Sequence, residues 1–187
     1  MRETTIDADT SLRHALRLAT RASHDSVDDL MSRLDLRRSD DRQTFSSIQL
    51  RGFARLKAAC RGEAAEAEPL LTHMANMARR HGFADGKGPQ YGDAGHRRLS
   101  ADAVAYVALG SQLGLTVLRK ELGPGDRTGI FEREPDLSAW KALAARLSTM
   151  PGDTGAGRKT VDDACRAFAI FYSACVDTMN LQSEKLS

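Results

Sequence analysis

An all-α fold is what this sequence predicts, and three observations predict it. Apolar positions recur at three- and four-residue intervals along several long segments, the period of one buried helix face. Strict alternation of β-branched residues, the mark of a half-buried strand, is absent. Ala, Leu, Arg, Asp and Glu fill the periodic segments and aromatics make up only 5% of the chain, which favours helix on helix over a sheet. At 187 residues the chain can bury one sizeable core, and no composition break marks a second, so residues 1–187 are read as a single domain.

The elements follow in order. A cap from Asp7, Asp9, Thr10 or Ser11 is expected to start the first helix, which then runs to about Leu34. Leu12, Leu16, Ala19, Ser23, Val27, Leu30 and Leu34 draw its apolar seam. Ser39 and Asp40 begin the second helix, with Phe45, Ile48, Leu50, Phe53 and Leu56 inside and a break near Arg61-Gly62. A third runs from Glu63 or Glu66 to Arg80, with Pro69 in its first turns and an end at His81-Gly82. Residues 82–99 carry Gly82, Gly86, Gly88, Pro89, Gly92 and Gly95, too many breakers for a helix, and are read as the longest loop.

Ser100 and Asp102 open a strongly periodic segment through Leu118, and Gly123-Pro124-Gly125 stops it. Leu137, Trp140, Leu143 and Leu147 define a helix from about Asp136 to Met150. After the linker at 151–157, the last helix is expected from Thr160 through at least Met179, with Val161, Ala164, Phe168, Phe171 and Cys175 on one side. No repeat of 20–50 residues occurs.

Charge narrows the partners. The 27 basic and 25 acidic residues are well mixed, for a net +2, so no basic patch or tail favours nucleic acid or an anionic membrane. Cys60, Cys165 and Cys175 are odd in number and lack CxxC spacing, which argues against a disulfide framework and a structural zinc site and for buried thiols in a reducing compartment. The N-terminal residues contain no apolar leader core, and no run is long enough to span a bilayer. The expected location is therefore the cytoplasm.

Two constellations carry chemistry. His24 lies one residue past the seam of the first helix, with Arg17 and Arg21 seven and three residues earlier along the same side. An imidazole at such an edge reaches a crevice between helices, where it can ligate iron, while guanidinium suits carboxylates. The plain alternative is a boundary histidine with a satisfied hydrogen bond beside solvated arginines. Gly110 and Gly114 lie four apart on one face of the segment Tyr106–Leu118, each costing about 1 kcal/mol against alanine. They point either to close helix packing or to a flat ligand approaching the backbone.

These residues carry a resemblance. The string Ala15-Leu-Arg-Leu-Ala-Thr-Arg-Ala-Ser-His24 resembles the proximal helix of the haem oxygenase family, especially the compact bacterial enzymes that accompany bacteriophytochromes. Gly110-Ser111-Gln-Leu113-Gly114 resembles its distal helix, and Ala167-Phe168 adds a weaker echo. The resemblance spans most of the chain and implies a haem-oxygenase-like helical bundle. It further implies haem as substrate and cofactor, opened with O2 and electrons from a ferredoxin or reductase to biliverdin, carbon monoxide and iron. A bacteriophytochrome is the implied acceptor of the biliverdin.

By position, the resemblance makes His24 the iron ligand and Arg17, with Arg21, partners of the propionates. Gly110, Ser111 and Gly114 become the distal catalytic backbone, and Leu115 and Phe168 line the haem. This chain has Leu109 and Ser111 where many members place an acidic residue beside the first glycine, so proton delivery falls to Ser111, Gln112 or water. It has Leu115 where many have a second consecutive glycine, a side chain that either points away or narrows the pocket. The competing readings are a haem carrier or sensor without turnover, and a helical interaction module without ligand.

Other enzyme classes find little support in the residues. His73 follows Glu68 by five positions across Pro69, a spacing that does not form a di-iron Glu-x-x-His pair. No His-Glu-x-x-His or Walker spacing occurs, and no histidine neighbours Cys165 or Cys175 in sequence. His14, His73, His81 and His96 are read as surface residues.

Overall fold

The computed structural model describes residues 10–83 and 98–185. Among them six α-helices form: α1 Leu12–Met31, α2 Ser39–Ala59, α3 Glu68–Arg80, α4 Ala101–Glu121, α5 Ser138–Ser148 and α6 Gly155–Lys185. Short 3₁₀ turns lie at Ala65–Ala67, Pro124–Asp126 and Gly129–Phe131, and no strand forms among the described residues. The fold is all-α, as expected. The candidate caps Asp7 and Asp9, His96 and most of the glycine-rich loop lie outside the described residues.

Boundaries differ from the periodicity where local hydrogen bonds take over. Ser11 caps α1, its Oγ accepting from the His14 N–H at 3.3 Å. The helix stops at Met31 rather than Leu34, because the Arg33 and Leu34 N–H groups bond back only three residues, to Leu30 and Met31. Helix α3 begins at Glu68 with Pro69 in its first turn, after a 3₁₀ turn. Asp136 accepts from the Ser138 N–H at 2.8 Å and so stands before α5 instead of opening it.

The largest difference is at α6, which starts at Gly155, five residues before Thr160. Thr154 Oγ1 accepts from the Gly157 N–H at 3.0 Å, a side-chain cap inside what reads as a linker. A Cβ on Gly157 would stand 2.5 Å from the Gly152 carbonyl oxygen, so glycine is required by close approach.

Helix α6 is the spine. It packs against α1, α2 and α4, and the core gathers Leu12, Leu16, Ile48, Phe53, Leu56, Val104, Leu143 and Leu147 around Phe168, Ile170 and Phe171. A smaller cluster of Phe45, Leu115, Leu122 and Phe131 sits beside it, with the two phenyl rings stacked at 5.3 Å. Asp163 of α6 is fully buried; it accepts from the Ser100 N–H at 2.9 Å and pairs with Lys159 at 3.1 Å and Arg166 at 3.3 Å. Those partners offset the cost of burying its charge.

Helix α4 departs from the expectation that no run could span a bilayer. It is 21 residues long with a mean hydropathy of 1.4 over its most apolar window, enough by length and composition to cross one. Here Ala103, Val104, Val107, Ala108 and Leu109 are buried, and α4 packs on α6, α2 and α3, the position of a core helix. The thiols also need a correction. Cys60 and Cys175 are buried and free, but Cys165 is only half-buried. Burial pushes the Cys175 thiol up to about 12.

Arg146 of α5 donates to both oxygens of Glu66, at 2.9 and 3.0 Å, and to Asp102 at 2.7 Å, tying three elements together. Its guanidinium holds the Glu66 carboxyl below the usual carboxylate range. A lowered folded-state value means stability that is present above the ordinary carboxylate pKa, about 4.3, and lost as pH falls through the lowered one. Arg146→Met is therefore expected to lower the urea midpoint at pH 7, with the gap to wild type closing as both are taken below about pH 4. Gly52 tests the spine directly, since a Cβ there would meet the Phe171 ring at 2.5 Å. Gly52→Ala is expected to destabilise by about 1–3 kcal/mol, read from the same midpoints.

Candidate functional site

A cleft of about 700 Å³ lies between α1 and α4, within the range of small-molecule sites. Arg17, Leu18, Arg21 and His24 of α1 form one wall, and Tyr106, Gly110, Ser111, Gly114 and Leu115 of α4 the other. Phe168 and Phe171 of α6, with Phe45 and Gln49 of α2, also line it. The walls approach each other at Thr20 and Tyr106, and the Tyr106 ring lies 5.7 Å from Trp140. Burial pushes the Tyr106 phenol up, so it stays a neutral hydrogen-bonding group. Toward the C-terminal ends of both helices, Met31 and Leu118 pack on the smaller apolar cluster.

The α1 seam explains why the cleft opens there. Leu12, Leu16, Val27 and Leu30 are buried as the pattern requires. In the middle the expected Ala19 is exposed and Thr20 is buried in its place, while Leu18 is 60% exposed. Thr20 remains satisfied by donating to the Leu16 carbonyl at 2.8 Å. Apolar surface is thus presented to the cleft mouth, where Leu113 of α4, 39% exposed, adds to it.

His24 stands at the edge of this wall, its side chain 59% exposed. Its Nδ1 lies 3.1 Å from Asp28 Oδ2, one helical turn on, and its ring meets Phe168 edge-on at 5.9 Å between centroids. Donation of Nδ1–H to Asp28 leaves Nε2 with the lone pair, the arrangement by which carboxylates orient metal-binding imidazoles. Arg17 and Arg21 are exposed beside the cleft, and neither forms an ion pair with a described carboxylate. Among the described residues no group of three or more His, Cys, Asp or Glu gathers to hold a bare metal ion. A single imidazole suits instead a metal that brings its own ligands.

The two glycines are informative through what they do not touch. A Cβ on Gly110 would meet Trp140 at 3.6 Å, an ordinary contact, and one on Gly114 would meet nothing within 4 Å. Close helix packing, which does explain Gly52, accounts for neither. Ser111 Oγ donates to the Ala108 carbonyl at 2.8 Å. Gln112, expected as a proton source, is turned away from this cleft; with Leu109 it lines a second cavity on the opposite side of α4. Leu115 does not point away: it is 6% exposed, belongs to the smaller apolar cluster and lines both cavities.

His24, Arg17, Arg21, Gly110, Ser111, Gly114, Leu115 and Phe168, all chosen from sequence, therefore lie around one cleft. Trp140, Phe45, Gln49 and Thr20 join them without having been singled out as site residues. Trp140 carried a signal as the only tryptophan of the chain, but nothing in its spacing on α5 pointed across to Gly110. Compared with protein-family models, curated proteins and solved structures, the chain gives no match.

Gly114→Ala separates a packing glycine from one kept for another purpose. With open space around the new methyl, the substitution is expected to stabilise the free protein by about 0.5–1 kcal/mol through helix propensity, measured by thermal denaturation. A loss of stability would show instead that Gly114 serves the protein's own packing.

Proposed function

We propose that this chain is a haem oxygenase of the compact bacterial kind. In this reading it takes haem into the cleft between α1 and α4 and opens it to biliverdin, releasing carbon monoxide and iron. O2 is consumed and electrons come from a ferredoxin or reductase. The observation that supports it is convergence: residues of α1, α4 and α6, remote in sequence, line one cleft with the inventory a haem would need.

The residues present fit such a group. When bound, haem would supply the iron that activates O2 and the ring that is opened. His24 would hold the iron through Nε2, oriented by Asp28, and as a neutral ligand it lacks the strong donation by which a thiolate favours O–O cleavage. Arg17 and Arg21 place two permanent cations beside the cleft, where carboxylates would sit. Gly110 and Gly114 offer backbone rather than side chain on the opposite wall. Phe168 and Phe171 supply apolar surface that excludes water. Ser111 shares that wall's hydroxyls with Tyr106, and its proton is held by the Ala108 carbonyl.

The same reading places a haem-oxygenase-like bundle in a single domain, working in the cytoplasm and passing biliverdin to an acceptor such as a bacteriophytochrome. One observation favours a second reading, a haem carrier or sensor without turnover. Leu109 and Gln112 face the far side of α4 and the Ser111 hydroxyl is already engaged, which leaves the raised-pKa phenol of Tyr106 as the other hydroxyl on the wall of Gly110 and Gly114.

Hemin titration followed by ascorbate in air tests both. Wild type is expected to give a sharp Soret band that decays as a biliverdin band rises; His24→Ala is expected to bind at least roughly tenfold more weakly and not to turn over. A stable Soret band without decay supports the carrier or sensor, and no binding returns the chain to a helical interaction module. Gly114→Leu, which fills the opposite wall, is expected to abolish hemin binding while leaving the helical circular dichroism unchanged.

A further inference from the structure

The second cavity, about 430 Å³, lies on the other side of α4. Its interior is apolar, with Leu50, Leu70, Met74, Met77, Leu109 and Ile130 among the lining residues. Gln112 also lines it; the residue is only 6% exposed, and its Nε2 is buried with no hydrogen-bond partner among the described residues. A buried amide donor left unpaired has lost its hydration with nothing in return, so an acceptor that enters this space recovers that cost on binding. Glu132, Glu134 and Asp136 line the cavity against one permanent cation, Arg133, and the exposed imidazole of His73, while Glu66 is already paired with Arg146. That balance disfavours an anion.

We infer that this cavity is a second ligand site, for an uncharged and mainly apolar small molecule whose carbonyl or hydroxyl oxygen accepts from Gln112 Nε2–H. The two methionines provide an adaptable lining for such a body. The site is independent of the haem reading, because its donor and most of its lining face away from the cleft; Leu115 is the shared wall.

Methionine methyl NMR reads the two cavities separately, since Met74 and Met77 line the second and Met31 the first. With methyls assigned by single Met→Leu variants, cyclohexanone is the probe, methylcyclohexane its counterpart without oxygen, and hexanoate the anionic control. Cyclohexanone is expected to shift Met74 and Met77 saturably and leave Met31 unchanged, binding roughly tenfold more tightly than methylcyclohexane and hexanoate. Gln112→Leu is expected to erase the preference for the ketone over the hydrocarbon.

Equal binding of ketone and hydrocarbon by wild type would overturn the assignment, as would an absence of saturable shifts at Met74 and Met77 or shifts at Met31 alone. The wild-type comparison decides the matter by itself if Gln112→Leu does not fold. Because hemin is absent throughout, failure here leaves the haem reading standing, and failure of hemin binding leaves this one standing.

Discussion

The buried carboxylate of Asp163 is the constraint on which the rest of the arrangement depends. It sits on the spine α6 and accepts from the backbone of Ser100, the residue that opens α4, while Lys159 and Arg166 neutralise it. The start of α4 is thereby fixed to the spine by a charge that has nowhere else to go. The start of α1 is fixed from the same end of the molecule: the Leu12 N–H donates to the Met150 carbonyl at 2.7 Å and the Gly152 N–H to the Thr10 carbonyl at 2.8 Å. Gly152 leaves no room for a side chain there, as a Cβ would lie 2.9 Å from that of Ala15. The two cleft walls are thus each held near their N-terminal ends, touch at Thr20 and Tyr106, and enclose a space beyond that contact.

Glycine supplies an internal control for what the cleft is for. Gly52 and Gly152 are needed because neighbouring atoms stand where their side chains would be. Gly110 and Gly114 sit in the middle of a 21-residue helix with no such neighbour, yet each carries the propensity cost of glycine. Both glycines line the cleft that the His24 imidazole also lines, and under the proposed function their cost keeps room there for a planar group. His24 is read in the same way. A boundary histidine needs only a hydrogen bond, and Asp28 gives it one, but through Nδ1, which leaves the nitrogen that ligands use.

Sequence periodicity reached most of the helices because burial on α6 demands it, and it failed where short-range bonding or tertiary contact outweighed it. Gly155 to Lys159 belong to α6 because Thr154 caps them, a signal hidden among glycines that read as a linker. Ala19 and Thr20 exchanged roles because Thr20 meets Tyr106 and spends its own hydroxyl proton on the helix backbone, something no hydropathy pattern records. The face of Gln112 was legible and was missed. At 100° per residue it lies about 160° from both Gly110 and Gly114, so it had to look the other way. The contributions of α2 and α5 were not legible, since Phe45, Gln49 and Trp140 reach the cleft only through how those helices pack.

The composition of α4 follows from having two cavities to separate. A helix buried on one side would carry polar residues opposite, but from Ala103 to Leu115 the side chains face the core, the cleft or the second cavity, and few meet bulk water. This accounts for a hydropathy high enough for a bilayer without any bilayer being required. It also accounts for where polarity survives. Ser111 satisfies itself on the preceding turn, whereas Gln112 has its terminal nitrogen unpaired in an apolar space. In a wall only one helix thick, Leu115 borders both cavities, while the Gly110 and Gly114 face looks into one and Gln112 into the other.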